Sequence, residues 1–219
     1  MTSITKIFTP TVGRKVLMAL TGLFLCMFLI EHLYGNLMML YNDGGVAFNK
    51  YTEDMTHTLL IRIVEYGLFA GIIVHVVDAT LITISNNKAR PVKYAVNKQS
   101  ENSSWFSRNM GLTGSVILFF LVVHLRTFFV AHRFLDAPET MYESVVIAFK
   151  DWWYCAFYII SVLFLGMHLN HGAQSAIHTL GMSNKAYAPL IKAGGMAFAL
   201  LMTIGFAMFP ILFFFNILK

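Results

Sequence analysis

The run VLMALTGLFLCMFLIEHLYGNLMMLY, residues 16–41, decides the fold. It is apolar almost throughout, and it exceeds the ~20 residues that carry an α-helix across a hydrocarbon core. It is also longer than the core of a cleaved signal sequence, and no clear small-x-small site closes it. It is therefore read as a retained first span. Four further apolar runs follow along the chain. The expected helices cover about 15–40, 59–85, 107–131, 152–180 and 190–217. The expected fold class is all-α: an integral membrane bundle of five transmembrane helices in a single membrane domain, 1–219, with no internal repeat and no separate soluble domain.

Composition points the same way. Apolar residues make up 57% of the chain and charged residues 12%, whereas a soluble protein of this size alternates the two more evenly. A net charge of +5 would suit nucleic acid in a soluble protein. In a membrane protein the placement of the charges matters more than their sum, and no nucleic-acid partner is expected. Cys26 and Cys155 lie in or beside apolar blocks, outside any CxxC or CxxCH context. Covalent haem attachment and a thiolate-held cluster are therefore unsupported.

The connections give an orientation. The N-terminal tail carries Lys6, Arg14 and Lys15, the second connection Lys88, Arg90, Lys93, Lys98 and Arg108 against Glu101, and the region of the fourth Lys185 and Lys192. The first and third hold Asp43, Glu53, Asp54, Asp136, Glu139, Glu143 and Asp151. Five spans put the basic set on one side and the acidic set on the other. Because lysine and arginine favour the cytoplasmic side, the N-terminus is expected in the cytoplasm and the C-terminus outside. Below, "inner" means the basic end and "outer" the acidic end.

Of eight histidines, His57 and His132 fall in or beside connections, and the rest lie in apolar spans. An ionisable residue in a span is costly and marks a functional candidate. The plain alternative is a histidine hydrogen-bonded between helices, and four spans each carrying one shifts the balance. At about 1.5 Å per residue, His32 and His124 fall in the outer halves of spans one and three. His75 and the span-four histidines fall in the inner halves of theirs. Two imidazoles facing each other at one depth suit a bis-histidine haem b, and a low-dielectric interior favours the neutral imidazole this needs. Periodicity does not choose between His168 and His171, one turn apart, and Asp78 could share the face of His75. A metal or proton site there stays open. His178 sits near the cytoplasmic end of its span. Gly22, Gly71, Gly111 and Gly114 would let a flat macrocycle approach the backbone, although small residues also serve ordinary helix packing.

The stretches GRKVLMALTGLFLCMFLIEHLYGNL, GGVAFNKY with LIRIVEYGLFAGIIVHVVDA, GSVILFFLVVHLRTFF and GMHLNHGAQSAIHTLG together cover nearly the whole chain. They resemble the di-haem cytochrome b anchor of succinate:quinone oxidoreductases, the group of succinate dehydrogenases and quinol:fumarate reductases with a single five-helix anchor. The resemblance implies two non-covalent b haems, the outer held by His32 and His124 and the inner by His75 and one span-four histidine. Counting thirteen residues back from Gly181, as that family's fourth helix suggests, selects His168. His171 is then an alternative ligand or a neighbour of a propionate, and Asp78 a further candidate for the inner group. The resemblance also implies a flavoprotein and an iron–sulfur subunit on the cytoplasmic face, and location in the cell's inner membrane as a multi-pass protein. Electrons would be exchanged with a quinone, menaquinone in most di-haem members, near the outer haem. Glu31, Arg62, Glu65 and Arg126 are candidates for the quinone site, and the two arginines equally suit snorkelling to the interface. Two other readings stand beside this one: a haem b subunit of another membrane dehydrogenase, and a histidine-using transporter without haem.

Overall fold

The computed structural model describes residues 10–88 and 105–218. Lys6, Arg90, Lys93, Lys98 and Glu101, used above for orientation, lie outside the described residues. Among the described residues there is no strand. The helices are α1 (Pro10–Leu37), α2 (Val46–His57), α3 (Leu59–Lys88), α4 (Trp105–Arg108), α5 (Met110–His124), α6 (Ala131–Phe134), α7 (Met141–Lys150), α8 (Trp152–Thr179) and α9 (Ala188–Phe214). A 3-10 turn, Met38–Tyr41, extends α1, and a π-helical turn, Leu125–Val130, joins α5 to α6. Among the described residues five helices are long and apolar enough to cross a membrane: Val12–Tyr41, Leu59–Asn86, Met110–Phe134, Trp152–Thr179 and Ala188–Phe214.

Local chemistry sets several boundaries. Thr140 and Glu143 form a reciprocal capping box at the start of α7, which satisfies donors the first helical turn leaves free. Asp151 accepts from the Trp153 N–H at 3.0 Å and so starts α8. Gly181, at φ 74°, ends the chain's run from α8 in a left-handed turn, and the Met182 N–H closes back on the Ile177 carbonyl at 3.2 Å. Proline opens α9 at its first turn, where a missing N–H costs nothing.

Helix α8 is the hub. It packs on α1, α5 and α9, and α3 packs on α1. Gly166 makes the α8–α9 approach possible, because a Cβ there would run into the Thr203 hydroxyl. Within α9, Pro210 sits inside the helix and its carbonyl accepts from the buried Cys155 thiol at 3.3 Å. Cys155 therefore serves packing. The faces turned away from these contacts are apolar and exposed, with Met27, Ile73, Phe119 and Ile204 each above half exposed, as lipid-facing surfaces are. The chain is a multi-pass membrane protein.

The two short helices of the acidic connections meet at one end. The Tyr142 N–H of α7 donates to Asn49 Oδ1 of α2 at 3.0 Å, and α7 also packs on α8 and α9. At the opposite end Arg14 of α1 reaches Ser85 Oγ of α3 at 3.5 Å. The acidic and basic ends are thus physically distinct ends of one bundle.

Candidate functional site: two facing histidine pairs

The helices bring four histidines together in two pairs. The His32 and His124 rings, from α1 and α5, have centroids 5.7 Å apart and planes at 88°. The His75 and His168 rings, from α3 and α8, have centroids 6.4 Å apart and planes at 68°. His171 lies one turn along from His168, and among the described residues no ring pair joins it to another imidazole.

The inner pair has a matched setting. Thr21 Oγ1 lies 3.1 Å from His75 Nδ1 and Thr113 Oγ1 lies 3.2 Å from His168 Nδ1. Each hydroxyl already donates to its own helix, Thr21 to the Leu17 carbonyl at 2.9 Å and Thr113 to the Met110 carbonyl at 3.1 Å. A hydroxyl has one proton, so both oxygens are left to accept, and the imidazoles supply Nδ1–H. That tautomer frees Nε2 as a lone-pair donor, the arrangement metal-bound histidines show. Gly22 and Gly114 seat the same two rings. A Cβ on Gly22 would come within 3.5 Å of His75 Cε1, and one on Gly114 within 3.6 Å of His168 Cε1. Gly71 instead faces Phe24, and Gly111 faces open space.

The outer pair is set differently. Phe28 stacks on His32 at 5.4 Å and Phe120 on His124 at 5.5 Å. His124 Nδ1 lies 2.7 Å from the Tyr158 hydroxyl, which in turn accepts from Tyr154 OH at 3.4 Å. For His32 the neighbours are aromatic, Phe28 and Phe206.

Thr21, Thr113 and Tyr158 escape the sequence reading, and so does an internal repeat. Leu20-Thr21-Gly22, Phe28 and His32 recur as Leu112-Thr113-Gly114, Phe120 and His124, every member 92 residues later. The contacts make the correspondence meaningful, because each threonine and glycine touches the inner histidine of the next long helix. The two halves of the bundle thus build the inner pair in the same way. The signal was present as a repeated LTG followed at a fixed spacing by histidine, but so short a repeat carries no weight before the contacts are known.

The remaining candidates are dispersed. Asp78 is 4% exposed, and its Oδ2 lacks a hydrogen-bond partner among the described residues. It lies in electrostatic reach of Arg14 and His75. His171 lines a cavity of about 540 Å³ at the inner end, with Lys15, Gln174, Ser175 and His178. Glu31 accepts a short hydrogen bond from Tyr51 of α2. Burial, and then this bond to the carboxylate, push the Tyr51 phenol well above its ordinary value. Arg62 pairs with Glu65 at 2.9 Å, and Arg126 is exposed on the π turn. Among the described residues no hydrogen bond or ion pair joins these groups into one quinone-sized site.

The donor set discriminates between metal readings. Among the described residues no three of His, Cys, Asp and Glu converge as a free metal ion would need, whereas a protein-held zinc ion takes three or four such ligands. A haem iron asks the protein for two axial ligands. With metal–imidazole bonds of about 2 Å, two rings on one ion have centroids about 6 Å apart. Both pairs fit that span.

The chain is similar to a membrane anchor. The relative is the succinate dehydrogenase hydrophobic membrane anchor subunit of Thermoplasma acidophilum, 33% identical over 75 residues, covering 34% of this chain and 58% of that one. The matched stretch thus spans a little over half of the relative. No family model matches the chain, and no solved structure matches it.

Proposed function

We propose that this chain is the membrane anchor and electron-transfer subunit of a succinate dehydrogenase or fumarate reductase, holding two b haems between an iron–sulfur subunit and a membrane quinone, menaquinone in the first instance. The observation that carries the reading is the pair of facing imidazole couples, at two levels of a four-helix set, with an Nδ1 partner on three of the four rings. The name of the Thermoplasma relative supports the anchor role. The absence of a third converging ligand, among the described residues, favours haem over a transporter's ion site.

In this reading His32 and His124 hold the outer group and His75 and His168 the inner one. Bound haem supplies a reversible one-electron iron centre. The protein's own contributions are orientation and environment. Thr21 and Thr113 fix the inner imidazoles in the ligating tautomer, and Tyr158 orients the His124 ring. The buried Phe128 and the half-buried Phe28, Phe120 and Phe206 exclude water around the outer rings. Lys15, His171 and His178 around the inner cavity suit the carboxylate arms of a haem, which leaves His171 as a neighbour of the inner group and not its ligand.

The basic end is cytoplasmic in this reading, with the chain in the cell's inner membrane and its N-terminus inside. The flavoprotein and iron–sulfur subunits dock there, and the dicarboxylate chemistry belongs to the flavoprotein. With quinone reacting at the outer end, each electron crossing the bundle responds to the membrane potential, at ~2.3 kcal/mol per charge per 100 mV. Purification of the tagged chain from its own membranes tests the whole assignment. Flavin and iron–sulfur subunits should accompany it, together with a bis-histidine b-type spectrum; a haem-free chain without those partners rejects it.

A further inference from the structure

Three of the four paired rings have a polar partner at Nδ1: Thr21 for His75, Thr113 for His168 and Tyr158 for His124. His32 has none among the described residues, and its neighbours are aromatic. The outer torsion of a histidine side chain is broad, with no sharp staggered wells to hold the ring plane. What touches the ring must therefore set that plane. Two phenyl rings do so: Phe28, one turn earlier on α1, at 5.4 Å and 20°, and Phe206 of α9, at 5.7 Å and 36°. His124 has the same kind of neighbour on its own helix, Phe120 at 30°. Its second contact is Tyr158 of α8, where His32 has Phe206 of α9.

Local packing explains how Phe206 reaches His32. Ala199, Met202, Phe209, Pro210 and Phe213 form the buried stripe of α9, and Phe206 falls within it at helical spacing. The residue before it is Gly205. A Cβ there would come 2.7 Å from Leu33 Cδ2, and Leu33, the residue after His32, is buried. Glycine thus lets α9 close on α1 at the level of His32. One turn further on, the buried Pro210 is tied to α8 by the Cys155 thiol, which fixes this part of α9 in the bundle.

We infer that Phe206 is a positioning residue for the outer pair: with Phe28 it clamps the His32 ring and so maintains the 88° angle between the His32 and His124 planes. The inference rests on the electron-transfer reading above. It gives the fifth span, which carries no histidine, a part in the redox site. The two outer rings are held by different means, His124 by a hydrogen bond and His32 by aromatic contacts alone. Ring contacts of this kind have a preferred geometry and act on the plane of the imidazole, leaving both its nitrogens uncommitted. Phe206 therefore bears on how the ligand is turned and not on its protonation, and contacts that fix a ligand's orientation tune the metal it holds.

Variants of the complete complex test this, compared by EPR of the oxidised state and by redox titration. The low-field EPR signal of a bis-histidine ferric haem follows the angle between its two imidazole planes. Phe206→Leu should shift that signal and the midpoint potential of one centre, with the other centre unchanged and both haems retained. Phe206→Met, which keeps most of the volume and drops the ring, should do the same. Phe206→Tyr keeps the ring and should keep the parent signal. Phe198→Leu makes the same exchange at another half-buried position of α9 and should change neither centre. Unchanged signals in haem-replete Phe206→Leu and Phe206→Met complexes overturn the positioning role and leave the electron-transfer reading standing. So does an equal shift with Phe206→Tyr or Phe198→Leu. A parent complex that carries no haem overturns both.

Discussion

The Thr21 hydroxyl meets His75 Nδ1 at 3.1 Å across the α1–α3 contact, and because that hydroxyl spends its proton on Leu17, it serves the ring as an acceptor. Thr21→Val keeps the shape and removes the acceptor. A buried N–H left without a partner costs ~1–3 kcal/mol, and losing such an outer partner weakens metal binding about 10–100-fold. The inner haem should be lost or shifted in potential, with the outer one retained. Thr21→Ser should restore it. Redox titration of the reduced-minus-oxidised spectrum separates the two centres.

His168 and His171 are distinguished by what faces them. His168 lies opposite His75, and His171 lines the inner cavity. His168→Ala should halve the haem-to-protein ratio, while His171→Ala should keep both haems. The opposite pattern would exchange their roles.

Tyr158 bears on the outer pair alone. Tyr158→Phe should move the potential of one centre and leave the other unchanged, because its hydroxyl contacts His124 and neither inner ring. Equal movement of both transitions would contradict the separation of the two sites.

Gly166 sets the α8–α9 distance. Gly166→Ala places a methyl against the Thr203 hydroxyl, and overpacking of this kind costs ~1–3 kcal/mol. Thermal unfolding of the purified complex in detergent should shift downwards, and Thr203→Ala added to it should recover part of the loss.

Tyr51 gives a pH signature outside the spans. Its folded-state value is raised, so its contribution to stability is full below the ordinary tyrosine value and is lost as pH rises through the higher folded one. The phenol should stay protonated at about pH 10, where an ordinary tyrosine is half ionised. Phenolate absorbance at that pH should be the same in the parent and in Tyr51→Phe, with the parent gaining more only at higher pH. A deficit in the variant at that pH would show that Glu31 does not hold the phenol.

The helices were legible because membrane spans announce themselves by length and apolarity alone, and His32, His75 and His124 stand out as ionisable residues within them. Depth along each span was also legible, since rise per residue is fixed. The hydroxyl partners were not. Thr21 and Thr113 are common in apolar helices, and nothing in one helix reveals which neighbour its hydroxyl meets. The seating of α7 was hidden for a similar reason, because the packing of a short amphipathic helix on a bundle depends on contacts, such as Tyr142 with Asn49, between residues 93 apart. Glu31, Arg62, Glu65 and Arg126 drew notice by charge, yet the structure disperses them.

The most direct test of the central claim is the haem-to-protein ratio of the purified chain in its complex, taken with its optical spectrum. Two facing histidine pairs predict two b haems per chain, both bis-histidine. A folded, partner-bound chain carrying no haem would contradict the account, and one carrying a single haem would leave one of the pairs a packing contact.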